Sequence, residues 1–175
     1  LVTGAAGGIG AALVRLLQQS GATVVATDRE APAPMDTSGI HPHALDVSDA
    51  AAVDALIARV EADLGPIDLA VNVAGILSTA TVLDLTAEEW RRTFAVNTDG
   101  VFHVPQAVAR AIALRPRRAL VTVSSNPAGI PPPNMAAPAA STASTPKFLR
   151  CPGLEPAPLA IRCNTLPPGS PPPTL

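Results

Sequence analysis

The sequence predicts an α/β fold, a doubly wound parallel sheet with helices on both faces. Three observations support this prediction. Residues 1–17 join an apolar strand end, a glycine-dense turn and an amphipathic helix without a break. Short β-branched segments then alternate with helical patterns through five strands. Apolar residues make up 47% of the 175 residues and charged residues only 15%, which suits strands buried on both faces.

Three glycines, at positions 4, 8 and 10, form the turn between the first strand and the first helix. Glycine lets the backbone turn sharply and approach a bulky anion closely. The start of the helix directs free N–H groups and the positive end of its dipole towards that anion. The sequence therefore predicts a pyrophosphate site formed by Gly4, Gly8, Ile9 and Gly10. The alternative is an ordinary helix that begins after glycine.

The first helix is predicted from about Ile9 to Ser20, and Gly21 ends it. A β-branched strand follows over 22–27. The apolar stripe of the helix consists of Ile9, Leu13, Leu16 and Leu17.

Residues 30–42 are predicted to form a loop, and the third strand is predicted at 43–47. Ser48 is expected to cap a helix over 49–64. The side chains of that helix that are expected to point inward are Val53, Leu56, Ile57 and Val60.

A fourth strand begins at Asp68 and runs into a turn of small residues that ends near Leu77. Thr86 is expected to cap the next helix, which carries Glu89 in its first turn. We expect Trp90 to lie in the core.

The following helix, over 97–114, contains Pro105, which costs about 3 kcal/mol or a kink. The fifth strand is predicted at 119–125 and the sixth at 160–164. Pro146 and Pro152 lie between them, inside the span of another long helix, where each removes a hydrogen bond.

Asp28 follows the second strand directly. In an open α/β sheet, an acidic residue at this place accepts hydrogen bonds from the adenosine ribose and repels a 2′-phosphate. Asp28 therefore favours NAD over NADP as the cofactor, although the neighbouring Arg29 weakens that preference. The alternative is a solvated loop aspartate.

Composition and charge exclude several classes of protein. The net charge of −2 offers no basic surface for nucleic acid or an anionic membrane. Apolar runs are too short to span a bilayer, and no signal peptide is visible, so we expect a cytoplasmic protein. Two cysteines lack metal-ligand spacing, and His41 and His43 have no third ligand nearby, so no metal site is predicted.

Proline is unevenly distributed along the chain. Fourteen of the 20 prolines lie in 127–175. The chain also opens inside a strand, without an initiator methionine. We therefore predict one domain over 1–175 that is truncated at both ends and degenerate in its proline-rich part, 127–175.

Taken together, these motifs resemble the short-chain dehydrogenase/reductase family, whose fold is a Rossmann-type domain that binds NAD(P). The resemblance rests on Thr3-Gly4-x-x-x-Gly8-x-Gly10 and on Asn72-Val73-Ala74-Gly75. It implies that Asp46 and Val47 contact the adenine, and that small residues at the end of the fourth strand lie beside the cofactor. It also implies that Pro168 and Gly169 border the nicotinamide. The cofactor residues implied in the fourth-strand segment are Asn72, Ala74 and Gly75.

The same resemblance places a catalytic serine at Ser125 and an asparagine that anchors a water relay at Asn97. Family members carry a tyrosine thirteen residues after the serine and a lysine four residues later. The tyrosine moves the substrate's proton, and the lysine lowers the tyrosine's pKa. Pro138 and Thr142 occupy those two positions in this chain, and there is no tyrosine anywhere in it.

Within the family, the chain is most similar to 2,3-dihydro-2,3-dihydroxybenzoate dehydrogenases of siderophore biosynthesis. Matching segments include 89–97 and 121–126. The resemblance implies NAD, a small-molecule diol substrate and a homo-oligomer. Two alternatives remain open: a non-catalytic NAD-binding or oligomer-partner protein that lost the tyrosine and lysine, and a decayed fragment without a stable fold.

Overall fold

The structure, a computed structural model, describes residues 1–33, 38–112, 119–124, 133–154 and 161–168. Within these ranges, parallel strands form a six-stranded sheet in the order β3-β2-β1-β4-β5-β6. The winding direction therefore reverses between β1 and β4, and ligands of such sheets bind at this reversal, beyond the carboxyl ends of the strands. The strands are β1 (Val2–Thr3), β2 (Val24–Asp28), β3 (Ile40–Ala44), β4 (Leu69–Asn72), β5 (Ala119–Val123) and β6 (Arg162–Leu166).

Helices connect these strands. A π-helical turn, Ala95–Asp99, joins α3 to α4, so that one helical rod leads from residue 87 to residue 112. The helices are α1 (Gly8–Gln19), α2 (Ala50–Asp63), α3 (Ala87–Phe94), α4 (Gly100–Ile112), α5 (Ala136–Ala143) and α6 (Thr145–Leu154).

Apolar side chains cover both faces of the sheet. Val25 of β2 belongs to the core that contains α2 and α4, whereas Val24 and Ala26 belong to the core that contains α1. The four side chains predicted to point inward from α2 all lie in the first of these cores, and none is more than 5% exposed. The predicted doubly wound parallel sheet is therefore confirmed.

The buried face of α1 agrees with the predicted stripe only in part: Leu13 and Leu17 pack against the core. Ile9 is 52% exposed and Leu16 is 62% exposed, whereas Gly10 and Val14 are buried. A Cβ at Gly10 would lie 2.0 Å from the carbonyl oxygen of Gly4, so this glycine must face the preceding turn. That backbone contact sets the rotation of α1, and it is invisible to hydrophobic periodicity.

Two boundary predictions around β3 are wrong. The strand lies at Ile40–Ala44 rather than 43–47, because all five residues pair in parallel with β2. Pro42 is tolerated there because β3 is an edge strand of the sheet. Asp49 rather than Ser48 caps α2, and its carboxylate accepts the N–H of Ala52 at 3.0 Å.

Thr86 and Glu89 form the predicted capping box of α3. Trp90, by contrast, is 39% exposed and not in the core; its ring lies against Phe94 with centroids 4.5 Å apart. Thr93 is the buried side chain of α3. The helix α4 continues through Pro105 without ending there.

The proline-containing helix after β5 is divided. It breaks at Ser144 between α5 and α6, so that Pro146 lies in the first turn of α6, where a missing N–H costs little. The helix then continues past position 152 to Leu154. The last strand, β6, begins two residues later than predicted. Among the described residues, the helices fall short of the length and apolar character that crossing a bilayer demands.

Candidate functional site

A cleft of about 530 Å³ opens at the carboxyl ends of β1, β2 and β4, where the winding direction reverses. It contains nine of the residues predicted to bind a cofactor. Those residues are Gly4, Gly8, Ile9, Gly10, Asp28, Asp46, Val47, Ala74 and Gly75. Their common position comes from the topology, because the carboxyl ends of parallel strands meet at one edge of the sheet.

Glycine is required at two points of the first turn. Gly4 has a φ of +66°, and a Cβ there would lie 2.7 Å from the backbone nitrogen of Ala74. A Cβ at Gly10 would collide with the carbonyl of Gly4. The absence of these side chains lets the turn close tightly and leaves its backbone facing the cleft. This cradle fits the pyrophosphate of a dinucleotide.

The start of α1 carries no side chain that caps it. Gly7 is the N-cap, and the first turn of the helix contains no acidic residue. Gly7, Gly8 and Gly10 all line the cleft. The positive end of the helix dipole therefore faces open space in which an anion can lie.

Asp28 lies at the end of β2, beside the glycine turn. One carboxylate oxygen accepts the N–H of Ala6 at 3.0 Å, and the other accepts the N–H of Arg29 at 2.8 Å. Each oxygen retains lone pairs for further donors. The carboxylate is thereby fixed at the wall of the cleft.

The loop after β3 forms another wall of the cleft. The backbone N–H and hydroxyl of Ser48 both donate to one oxygen of Asp46, at 2.9 Å and 2.6 Å. The hydroxyl bond, and then the backbone bond, hold the pKa of Asp46 below its ordinary value; partial burial opposes this, and the charge of Arg29 adds to it. Val47 is 6% exposed and lines the same wall.

Beneath the cleft, polar side chains share one register row across the central strands. Thr3 pairs with Thr27 on one side and Asn72 on the other, and Asn72 pairs with Thr122. Thr3 Oγ1 accepts the N–H groups of Val73 and Ala74, both at 3.2 Å. The side-chain amide of Asn72 donates to Thr122 at 3.1 Å. This row holds the turn after β4 against the glycine turn.

Two buried oxygens at this edge lack a partner among the described residues, Asn72 Oδ1 and Ser124 Oγ. Asn72 is 3% exposed and does not line the cleft, so it lies below the cleft as part of its support. Buried polar atoms without a partner are rare in proteins. Both atoms lie at the carboxyl ends of their strands, β4 and β5.

Asn97, in the π-helical turn, connects three parts of the site. Its Oδ1 accepts the N–H of Ile76 at 2.8 Å, and its Nδ2 donates to the carbonyl of Ile76 at 3.0 Å. The same Nδ2 lies 3.2 Å from the hydroxyl oxygen of Ser141 on α5. Asn97 is therefore buried between the cleft wall and the helix that carries positions 138 and 142.

Pro138 and Thr142 lie one helical turn apart on α5. The hydroxyl of Thr142 donates to the carbonyl of Pro138 at 2.8 Å, and the hydroxyl of Ser141 donates to it at 3.0 Å. Proline has no ionisable group, and threonine carries no positive charge. Lys147 lies on α6, beyond the break at Ser144. The described site therefore contains no visible acid/base pair on α5.

Three further predicted residues lie away from the cleft or outside the described structure. Pro168 is described, is exposed and follows β6. Ser125 and Gly169 fall outside the described residues. Their assignment, like the role of each cleft residue as a cofactor ligand, stays a prediction.

Some residues at the cleft were not predicted. Ser48 was assigned to a helix cap, and Arg92 and Ile76 carried no motif of their own. The signal for Arg92 is its place in the segment 89–97, which carries part of the family resemblance. The described part of the chain contains no cluster of His, Cys, Asp and Glu suited to a metal ion. His43 Nδ1 instead accepts from the guanidinium of Arg59 at 2.8 Å.

Comparisons with known sequences agree with the geometry. A family model described as short chain dehydrogenase matches residues 1–172. A 2,3-dihydro-2,3-dihydroxybenzoate dehydrogenase from Bacillus subtilis (strain 168) is 43% identical over 177 residues, covering 97% of this chain and 68% of that protein. A protein of the same name from Escherichia coli (strain K12) is 37% identical over 172 residues, covering 97% of this chain and 67% of that protein.

Solved structures agree as well. The ligand-free aldohexose dehydrogenase of Thermoplasma acidophilum superposes with a TM-score of 0.87 at 28% identity, covering 95% of this chain and 65% of that one. A short-chain dehydrogenase from Streptomyces avermitilis gives a TM-score of 0.88 at 26% identity, covering 97% and 64%. The chain thus spans about two thirds of the length of the proteins that it matches.

Proposed function

Because this chain belongs to the short-chain dehydrogenase family of oxidoreductases, we propose that it is an NAD-dependent oxidoreductase acting on a CH–OH group. The observation that carries the proposal is the cleft, in which the glycine turn, the uncapped start of α1 and Asp28 face one space. A nicotinamide dinucleotide is the cofactor implied by the family and by this fold. We further propose that residues 1–175 form a single NAD(P)-binding domain.

NAD rather than NADP is the proposed cofactor. The carboxylate of Asp28, held by the N–H groups of Ala6 and Arg29, would accept the ribose hydroxyls and repel a 2′-phosphate. Arg29 and Arg92 also line the cleft. The positive charge of Arg29, beside Asp28, would favour a 2′-phosphate and so opposes part of this preference. When bound, NAD supplies the carbon that accepts a hydride from the substrate.

The proposed substrate is 2,3-dihydro-2,3-dihydroxybenzoate, as in the names of the relatives from B. subtilis and E. coli. Oxidation removes a hydride from a carbinol carbon and a proton from its hydroxyl. The resulting ketone tautomerises to the aromatic catechol, 2,3-dihydroxybenzoate, a product that suits siderophore biosynthesis. The hydroxyl proton must pass to a basic group beside the substrate.

This chain supplies part of that machinery. Asn97 holds the wall of the cleft at Ile76 and contacts α5 through Ser141, so it fixes the helix that faces the substrate side. Ser125 is the residue proposed to hydrogen-bond the substrate oxygen. Pro138 and Thr142 cannot accept or promote the transfer of the proton. We therefore propose that proton transfer is the impaired step in this chain.

The test is NADH formation, followed by absorbance, with 2,3-dihydro-2,3-dihydroxybenzoate as the substrate. A Pro138→Tyr/Thr142→Lys variant is expected to exceed the chain as it stands by about 10²–10⁴-fold, the usual contribution of general acid–base catalysis. A Pro138→Phe/Thr142→Lys variant is the matched control, because it lacks only the phenol. Equal rates in the chain and in the tyrosine variant would refute the assignment of the acid/base positions.

A non-catalytic NAD-binding or oligomer-partner protein is the second candidate. The arrangement at α5 favours this candidate, because neither Pro138 nor Thr142 can carry the proton. The hydroxyls of Thr142 and Ser141 are instead bound to the carbonyl of Pro138. Both candidates bind NAD, so calorimetric titration with NAD distinguishes them from a decayed chain that does not bind it. NAD binding without turnover in the tyrosine variant would support this second candidate.

A further inference from the structure

His103 contacts the wall of the cleft from behind. It lies on α4, and its Nδ1 is 3.0 Å from the carbonyl oxygen of Val47. A carbonyl oxygen only accepts hydrogen bonds, so Nδ1 carries the proton and donates. Val47 lines the cleft together with its loop neighbours Leu45, Asp46 and Ser48.

A second contact from α4 fixes the same residue. A Cβ at Gly100 would lie 2.6 Å from Val47 Cγ2 and 3.4 Å from the Val47 carbonyl oxygen. Gly100 and His103 are three residues apart, so they share one face of the helix. That face therefore holds Val47 in two ways: the bare backbone at Gly100 admits its side chain, and His103 binds its carbonyl.

Neighbouring contacts fix the remainder of both elements. Ser48 holds Asp46 through two hydrogen bonds, so the loop is restrained on either side of Val47. The ring of Phe102 lies edge-on to the imidazole of His103, with centroids 5.8 Å apart, and also meets Phe148 of α6. The imidazole thus lies between the Phe102 ring of its own helix and the carbonyl of Val47 in the loop.

We propose that His103 is a positioning residue for the adenylate half of the dinucleotide, which it serves by fixing Val47 and never by touching the ligand. The inference rests on the proposed function, because it takes the ligand of this wall to be the adenine end of NAD. The pyrophosphate cradle at Gly4–Gly10 is a separate part of the cleft and does not depend on His103.

The two halves of the cleft can be titrated separately, with AMP and with inorganic pyrophosphate. In NMR titrations, the Val47 amide reports on AMP, and the amide of Gly8 reports on pyrophosphate. His103→Phe keeps a ring of similar size but removes the donor, so its affinity for AMP is expected to fall about fivefold, as for one neutral hydrogen bond. Its affinity for pyrophosphate is expected to stay unchanged. His103→Asn retains a donor near the place of Nδ1 and is expected to keep most of the AMP affinity.

Each outcome has a distinct meaning. Equal AMP affinities for the parent chain and His103→Phe would overturn the inference while leaving the proposed function intact. An equal loss of AMP and pyrophosphate binding would also overturn it, because it would show a general structural defect. A parent chain that is folded but binds neither AMP nor NAD would refute the proposed function and this inference with it. Loss in His103→Phe, rescue in His103→Asn and constant pyrophosphate binding would support it.

Discussion

Replacing Asn97 by alanine is expected to destabilise the protein by removing three hydrogen bonds at once. The side chain is 4% exposed and links the cleft wall to α5. Its amide satisfies both the N–H and the carbonyl of Ile76. Alanine would leave both backbone groups without this partner and would also detach Ser141.

The magnitude follows from the three hydrogen bonds that are lost. Each contributes about 1 kcal/mol net, and a buried group left without a partner costs about 1–3 kcal/mol. Asn97→Ala is therefore expected to lower the free energy of unfolding by about 3 kcal/mol. For a domain of this size, such a loss lowers Tm by roughly 6–12 °C.

Urea denaturation followed by circular dichroism measures this effect. Asp99→Ala is the matched control, because Asp99 is exposed in the same π-helical turn and its replacement is expected to change stability by less than about 0.5 kcal/mol. A loss below about 1 kcal/mol for Asn97→Ala would refute the assignment of Asn97 as the link between the cleft and α5. A loss of about 3 kcal/mol in Asp99→Ala would show that any substitution in this turn is destabilising, so that the effect would not be specific to the Asn97 amide.

Two further predictions concern the walls of the cleft. Gly10→Ala places a Cβ 2.0 Å from the carbonyl oxygen of Gly4 and is expected to cost at least about 2 kcal/mol by thermal unfolding; Gly8→Ala, which meets nothing within 4 Å, is the control and is expected to be neutral. A neutral Gly10→Ala would contradict the tight turn. Ser48→Ala removes the largest cause of the lowered pKa of Asp46, so NMR titration should show that pKa rising. The pKa of Asp46 is lower in the folded than in the unfolded protein, so its carboxylate stabilises the fold above about pH 4. This stabilisation disappears as the pH falls through the folded pKa. It is below about 0.5 kcal/mol because Asp46 is exposed. An unchanged pKa in Ser48→Ala would contradict the role of the hydroxyl.

Much of the fold could be predicted because its signals are local. The inward face of α2 repeats every three to four residues, and the capping box of Thr86 and Glu89 is a contact between residues three apart. The glycine turn lies between a strand and a helix that are adjacent in sequence. Each of these features depends on a few neighbouring residues, so the sequence pattern alone identifies it.

The failed predictions depend on contacts that hydrophobic periodicity and composition do not record. β3 contains His41, Pro42 and His43, a composition typical of a loop, and it becomes a strand only through pairing with β2. The exposure of Ile9 follows from the backbone contact at Gly10, not from apolar periodicity. The link from Asn97 to Ser141 joins residues 44 apart in the chain, and no motif encodes it.

We propose above all that the cleft binds NAD through Asp28 and discriminates against NADP. Isothermal titration of the chain with each dinucleotide, beside an Asp28→Ala variant, tests it most directly. The account predicts that NAD binds at least about tenfold more tightly than NADP, and that Asp28→Ala weakens NAD binding and removes most of the difference. Tighter binding of NADP, or a folded chain that gives no heat with NAD, would contradict it.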